Sequence, residues 1–183
     1  MFMNEKLYIY LKNYNQELDT YIKSLPNQDS FFYENRLYII EINTIYHDDY
    51  LDMLKAIEYD FYEDMRVFVD YINLPVGFKD SIQFFLSESS KGVYFLGDLI
   101  GLFIIKGNQP YKDLYKNYIE SLLNKPTIDS GLVFVETSNV IVASKKLYIH
   151  RNTLNYRIDL IKNKTSLDLK KFKDAFAFYG LFN

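Results

Sequence analysis

The chain contains no cysteine, and this absence excludes a disulfide framework, a thiolate nucleophile and a cysteine-ligated metal. Histidine occurs only at positions 47 and 150. The run "HDD" at 47–49 therefore lacks a nearby second histidine, and helix capping is a better interpretation of it than a metal site. The sequence also lacks a Ser-His-Asp ordering, a Walker loop and a dinucleotide fingerprint. We therefore expect a protein that is not an enzyme, with no catalytic residue, no metal site and no cofactor.

Long hydrophobic runs are absent as well. No apolar run near the N-terminus is long enough for the central region of a signal peptide. The most apolar stretch, "GVYFLGDLIGLFII" at 92–105, contains Asp98 and falls short of the ~20 residues that a membrane helix needs. The sequence therefore predicts a soluble, cytoplasmic protein that has no membrane partner.

The charge is distributed unevenly along a chain of otherwise ordinary globular composition. The net charge is −3, yet residues 139–173 carry nine Lys and Arg against two acidic residues, a local charge of +7 that leaves −10 elsewhere. A basic block on an acidic body indicates an anionic partner for that block. The alternative is a lysine-rich helix face that is simply solvated.

The spacing of apolar residues predicts an α+β protein. Residues 5–24 have helical spacing, 36–42 and 65–72 are typical of strands, and 47–62, 78–88 and 111–123 favour helices. The stretch 92–105 is either a strand bent at Gly97 or a strand that leads into a buried helix. "NKPTIDSG" at 124–131 separates the last section. We expect a small mixed α/β body over 1–126 and an all-α module over 127–183.

The C-terminal module has the spacing of a helix-turn-helix. "LVFVE" at 132–136 is a short helix candidate, and 139–147 is a second, with Val140, Ala143 and Leu147 forming a stripe. "YIH" then precedes "RNTLNYRIDLIKNK", in which Leu154, Ile158 and Ile161 form the buried face. The polar residues at the front of this helix lie mostly off that face. A short helix, a tight turn and a second helix with a polar front edge are typical of DNA-binding helix-turn-helix domains.

One segment resembles a known family. "NVIVASKKLYIHRNTLNYRIDLIKNKTSLDL" at 139–169 closely resembles the C-terminal helix-turn-helix of the purine-catabolism-regulator and sugar-diacid-regulator family of bacterial transcription factors, chiefly through "HRNTL", Tyr156 and Arg157. The resemblance implies a closing helix, "FKDAFAFYGLF", with Phe172, Phe176 and Tyr179 packed under the motif. It also implies a degenerate domain of the diguanylate-cyclase (GGDEF) fold upstream.

The segment departs from the family pattern at three places. Asn155 stands where the family commonly has Arg, which removes one basic contact. The turn "ETSN" at 136–139 has lost its glycine, and Ser166 replaces another glycine. No GGDEF-like signature is found upstream, so cyclase activity is not implied.

The leading hypothesis is a sequence-specific DNA-binding transcriptional regulator. Arg can bond bidentately to guanine and Asn to adenine, while Lys, Arg and a helix N-terminus bind phosphates. The expected base-reading residues are Arg151, Asn152, Thr153, Asn155 and Tyr156. The expected phosphate-binding residues are His150, at the N-cap, with Arg157, Lys145, Lys146 and Lys162.

The expected partners are double-stranded DNA and a second copy of the chain, with an unidentified small-molecule effector as a further candidate. The alternative hypothesis is a non-catalytic module with a helix-turn-helix fold that docks to a partner protein. An enzyme with a cyclase-like body is disfavoured, because its phosphate- and metal-binding residues are not found.

Overall fold

The computed structural model describes residues 4–13, 15–24, 28–34, 36–43, the single residues 49, 52, 56 and 59, and 65–183. The protein is of the α+β class, as expected, and divides into two compact units, 1–95 and 96–183. The helix predicted over 47–62, with its cap at Asp48 or Asp49, lies mostly outside the described residues, as does the "HDD" run.

The first unit is built on a five-stranded sheet. Its strands are β1 (Asn4–Leu11), β2 (Gln28–Glu34), β3 (Leu37–Asn43), β4 (Met65–Asp70) and β5 (Gly92–Tyr94). They lie in the order β2-β3-β1-β4-β5, and only the β4–β5 pair is parallel. The strands predicted at 36–42 and 65–72 are confirmed. The interpretation as a degenerate GGDEF-like domain stays a prediction.

The helix predicted over 5–24 is wrong in its first half, where β1 lies. Leu7, Ile9 and Leu11 join one core cluster, whereas Tyr8 packs on Phe68 of the other face. The side chains thus alternate between the two faces, which is the strand period. Asn15 then starts helix α1 (Gln16–Ser24), because its Oδ1 accepts hydrogen bonds from the backbone N–H groups of Glu17 and Leu18. An alternating run followed by a capped helix thus mimics one long helix in a sliding window.

Each face of the sheet is covered by helical or aromatic packing. Leu18 and Ile22 of α1 join the core that Leu7, Ile9 and Val67 form on one face. On the other face, Phe85 of helix α2 (Lys79–Glu88) lies 6.5 Å from Phe68, measured between ring centroids. This arrangement explains why all six side chains of β4 are buried, and the helix predicted over 78–88 is confirmed.

The second unit consists of six described helices. These are α3 (Leu96–Ile105), α4 (Gln109–Leu122), α5 (Lys125–Thr137), α6 (Val140–Lys146), α7 (Arg151–Thr165) and α8 (Phe172–Phe182). The stretch 92–105 is therefore a strand that leads into a buried helix, and the helix over 111–123 is confirmed. Helices α3 and α8 pack at close range, since a Cβ on Gly180 would lie 2.5 Å from Cδ1 of Ile104.

The stretch "NKPTIDSG" is not a separator, because α5 begins inside it. The side chain of Asn124 caps the helix by accepting from the N–H of Thr127 at 3.0 Å. Pro126 lies in the first turn, where the missing N–H of proline has no intrahelical partner to lose. The domain boundary expected between residues 126 and 127 stays a prediction, and it falls near the start of this helix.

No described helix is long and apolar enough to cross a membrane. Within the described ranges, no three His, Cys, Asp or Glu side chains lie together as a potential metal site.

Asp70 makes the stability of the first unit depend on pH. Its carboxylate is 1% exposed and accepts hydrogen bonds from the N–H groups of Leu74 (2.7 Å) and Ile72 (3.1 Å). Burial raises the pKa of this carboxyl to about 6. Because the pKa lies above that of the unfolded chain, the contribution of Asp70 to stability is present at low pH. It is lost as the pH rises through about 6.

We therefore predict that wild type loses roughly 2 kcal/mol of unfolding free energy between pH 4.5 and 7.5 relative to Asp70→Asn. The asparagine cannot ionise, so the variant lacks this pH dependence of the unfolding free energy. The amide has one acceptor oxygen fewer than the carboxylate, and this loss lowers the unfolding free energy of the variant equally at both pH values. Urea unfolding of the two proteins at both pH values measures the difference. Parallel pH profiles would contradict the assignment.

Candidate nucleic-acid interface

Helices α6 and α7 are joined by residues 147–150 in a compact turn. The side chain of Asn139 caps α6 by accepting from the N–H groups of Ile141 and Val142. After α6, the N–H of Ile149 donates to the carbonyl of Ser144, and that of Tyr148 donates to Lys145. This pair of bonds is a Schellman motif, which ends a helix sharply and redirects the chain.

Tyr148 occupies the position in this motif that usually holds glycine. Its φ is 54°, in the left-handed region, and its side chain is 96% exposed. Left-handed backbone costs roughly 1–2 kcal/mol for an L-residue. Because the ring is almost fully exposed, its burial offsets little of this conformational cost. Sequence reasoning missed the residue, because a tyrosine gives no signal of a left-handed turn.

His150 is the N-cap of α7, as predicted. Its Nδ1 accepts a hydrogen bond of 3.2 Å from the backbone N–H of Asn152. An imidazole that accepts through Nδ1 carries its proton on Nε2. The exposed ring therefore starts the helix with one nitrogen and keeps a donor on the other.

The buried stripe predicted on α7 is confirmed, with Leu154, Ile158 and Ile161 at most 2% exposed. The stripe packs against α5. The contact is close at Gly131, where a Cβ would lie 2.7 Å from Cδ1 of Ile161 and from Cε1 of Phe178. A side chain at 131 would force α7 or α8 away, so this glycine helps to fix the rotation of α7.

The five predicted base-reading residues lie on the exposed surface of α7. None of their side chains bonds to another described residue. They are Arg151, Asn152, Thr153, Asn155 and Tyr156. Asn152 and Tyr156 are separated by one helical turn and lie nearly opposite the buried stripe. Whether these residues contact bases stays a prediction.

The predicted phosphate-binding lysines fall into two groups. Lys145 is exposed and has no ion pair with a described residue. Lys146 pairs with Glu136 at 3.1 Å, and Lys162 pairs with Asp168 at 2.9 Å. An ammonium group has three donors, so a paired lysine can still bind phosphate. It then shares its charge with the carboxylate.

The ion pair between Lys162 and Asp168, at the end of α7, shifts the pKa values of both side chains. The hydrogen bond from Lys162 lowers the pKa of the Asp168 carboxyl and raises the pKa of the Lys162 amine. Both groups are thus held in their charged forms around neutral pH. Lys162 is mostly exposed, and pairs of this kind contribute little to stability.

Arg157 packs against α5. Its Nη1 donates to Oγ of Ser130 at 2.9 Å and to the carbonyl of Pro126 at 3.3 Å. The guanidinium therefore ties α7 to the start of α5, which sequence reasoning did not foresee. Its predicted phosphate contact stays untested.

The packing expected for the closing helix is wrong at Phe172 and Phe176, whereas Tyr179 is half-buried. Phe172 is 84% exposed and Phe176 is 38% exposed, and their rings stack at 6.4 Å between centroids. Ala177, Phe178 and Leu181 are buried instead. Apolar residues at helical spacing occur on two faces of this helix, one with Phe172 and Phe176 and one with Phe178 and Leu181. The sequence pattern did not show which face is buried. The exposed pair lines an open groove of about 470 Å³ with Val135, Tyr179, Lys170 and Lys171.

The two glycines missing from the motif leave serines in left-handed backbone. Ser138 ends α5 with a φ of 50°, and Ser166 ends α7 with a φ of 58°. Both helices therefore keep the terminal geometry that glycine favours. The substitutions change the energy of these ends and preserve their shape.

These features define a helix-turn-helix domain with a capped second helix and a polar outward face. Residues 132–180 match the family model described as the PucR C-terminal helix-turn-helix domain, which confirms the resemblance over that segment. The uncharacterized protein YxkF of Bacillus subtilis (strain 168) is 44% identical over 48 residues, which are 26% of this chain and 16% of YxkF. The chain thus matches only a small part of that relative.

A solved structure is similar in fold over nearly the whole chain. It is the crystal structure of a regulator of polyketide synthase expression from Bifidobacterium adolescentis. The match has a TM-score of 0.52 and 13% identity, and it covers 98% of this chain and 78% of that one. At this identity the likeness concerns the fold.

Relief of the backbone strain at Tyr148 is expected to stabilise the second unit. Tyr148→Gly should raise the free energy of unfolding by about 1 kcal/mol, because glycine adopts the left-handed region freely. Tyr148→Ala removes the ring but keeps the Cβ, and it should bring no comparable gain. Thermal unfolding of both variants is the measurement, and equal midpoints would argue against the strain.

Proposed function

We propose that the chain is a sequence-specific DNA-binding transcriptional regulator that acts through its PucR-type helix-turn-helix and catalyses no reaction. The observation that carries the proposal is the outward face at the start of α7. Arg151, Asn152 and Asn155 are exposed there, and their side chains have no bond to another described residue. Folding does not use these groups, and they are suited to bond with base edges in a major groove.

The capping geometry supports the same interpretation. His150 uses Nδ1 to begin α7, which leaves an Nε2–H donor beside the free N–H groups of the first turn. Such a helix N-terminus attracts a phosphate. A phosphate bound there would fix the depth and the register of α7 in the groove.

The local charge gives the non-specific part of the binding. Residues 139–173 carry a net charge of +7 within a chain of net charge −3. Lys145 is exposed on α6 and has no carboxylate partner among the described residues. We expect Lys145 to make the strongest phosphate contact of the three lysines. The contacts of Lys146 and Lys162 should be weaker, because each of these lysines is paired with an acid.

A single helix-turn-helix reads a short site, so we propose a homodimer that binds two half-sites about 34 Å apart. The α/β unit would serve dimerisation or the sensing of an unidentified small-molecule effector. The solved structure of similar fold is that of a regulator of expression, which supports a regulatory role for the whole chain.

A second candidate function is docking to a partner protein through the helical unit. The stacked, exposed pair Phe172 and Phe176 beside an open groove favours it, because exposed aromatic patches often mark protein contacts. The two candidates differ in their response to salt, since only binding to DNA releases many counterions.

The deciding experiment is selection from a random DNA pool by the full chain at 50 mM and 200 mM salt. We expect a palindromic sequence to be enriched, with an affinity that falls steeply between the two conditions. A pool that shows no enrichment at either salt concentration would contradict DNA recognition and favour docking to a protein.

Arg151→Ala is expected to weaken specific binding by roughly 1–3 kcal/mol and to relax the preference at one base position. The arginine is exposed and has no bond to a described residue, so the fold should not change. Binding to the selected operator and to its single-base variants is the measurement. Lys112→Ala, in α4, is the control of equal charge. The base-reading role is wrong if Arg151→Ala behaves like this control.

Lys145→Ala is expected to weaken binding to all sequences by a similar factor and to lower the salt slope by about 1. Lys162→Ala should act in the same direction. The affinity of each variant for operator and for unrelated DNA is measured over a series of salt concentrations. A loss confined to one base position would contradict the phosphate role.

A further inference from the structure

Asp159 lies on the same outward face of α7 as the residues expected to read bases. It is exposed, three residues after Tyr156 and seven after Asn152. Seven residues are nearly two helical turns, so Asp159 follows Asn152 on the same side of the helix, about 10 Å along its axis. The buried stripe of Leu154, Ile158 and Ile161 lies on the opposite side.

Folding makes no use of the Asp159 side chain. Its carboxylate makes no hydrogen bond or ion pair with any described residue. Lys162, three residues further along the helix, is bonded to Asp168 instead, although the charge of Asp159 still acts on it. The carboxylate is thus free to meet a ligand of the outward face.

An acid at this place is unfavourable for DNA binding unless a specific group offsets its charge. Phosphates repel it, and burial of an unpaired carboxylate in the interface costs energy. The major-groove edges of guanine and thymine present acceptor oxygens, which a carboxylate cannot bond. Cytosine presents the N4 amine, a donor that Asp accepts directly, whereas adenine places the acceptor N7 beside its N6 amine. A carboxylate that bonds to N6 of adenine therefore also meets the repelling N7. The same side chain thus favours one base and rejects others, as selective contacts do.

We propose that Asp159 is a specificity-determining residue that accepts a hydrogen bond from the N4 amine of a cytosine. The inference rests on the proposed function, because it requires α7 to lie in a major groove. With about 3.4 Å per base pair, the cytosine lies about three base pairs from the base that Asn152 contacts. Sequence reasoning missed this role, because an acid in a basic block is indistinguishable from a solvated residue.

The test is random-pool DNA selection by the full-length wild type, Asp159→Ala, Asp159→Asn and Asn152→Ala. Asn152→Ala locates the position that Asn152 reads. Wild type should prefer cytosine about three base pairs away by about tenfold or more over guanine and thymine. Asp159→Ala should lose that preference and bind the formerly rejected sites more tightly. Asp159→Asn should shift the preference toward adenine, because an amide bonds bidentately to N6 and N7.

Controls separate this inference from the proposed function. Glu120→Ala removes another exposed acid, from α4, and should leave the selected sequence unchanged. Thermal unfolding midpoints of the Asp159 variants should equal that of wild type. If wild type enriches a sequence and Asp159→Ala enriches the same one with the same preferences, the role of Asp159 is overturned and DNA recognition stands. If wild type enriches nothing, both are overturned.

Discussion

The contact between α7 and α5 is the constraint on which the interface depends. Leu154, Ile158 and Ile161 fix one side of α7, and the missing side chain at Gly131 lets the two helices meet closely. Once that side is buried, helical geometry determines which residues face outward. Arg157 strengthens the arrangement by bonding to α5. A residue of α7 can contact DNA only if it lies outside this packing. The packing against α5 therefore determines which side chains are candidates for contacting bases.

The parts that sequence reasoning predicted well are those that one local pattern determines. The stripe on α7 and the cap at His150 depend on spacing and on one residue type, and both are present. Errors arose where two patterns give the same signal. The alternating β1 and the helix α1 mimic one long helix, and Pro126 in a first turn resembles a break. In α8, aromatic residues occupy several faces, so spacing did not identify Phe178 as the buried one. Such choices depend on which surface the rest of the chain presents.

The lysines of the basic block look equivalent in the sequence, but they differ in the structure. The sequence treats Lys145, Lys146 and Lys162 alike, because it shows only their number and sign. Lys146 and Lys162 pair with carboxylates, and Lys145 has no ion pair within the part of the chain that the structure describes. Glu136 and Asp168 come from other segments, so tertiary packing decides which cations are paired. In the proposed complex with DNA, the net charge would attract DNA as a whole, and a lysine with no partner among the described residues would hold a phosphate most strongly.

Residues that folding does not need are the best guide to what the surface does. Asp159 is an acid in a basic segment, with no bond to a described residue, and Tyr148 holds a costly backbone conformation while its ring is exposed. A neutral residue would fold as well at the first position, and glycine would fold better at the second. The strain at Tyr148 is explained by the Schellman turn, which a glycine would also form. The carboxylate of Asp159 has no such explanation among the described residues, and the proposed recognition role would account for both its charge and its position on the outward face.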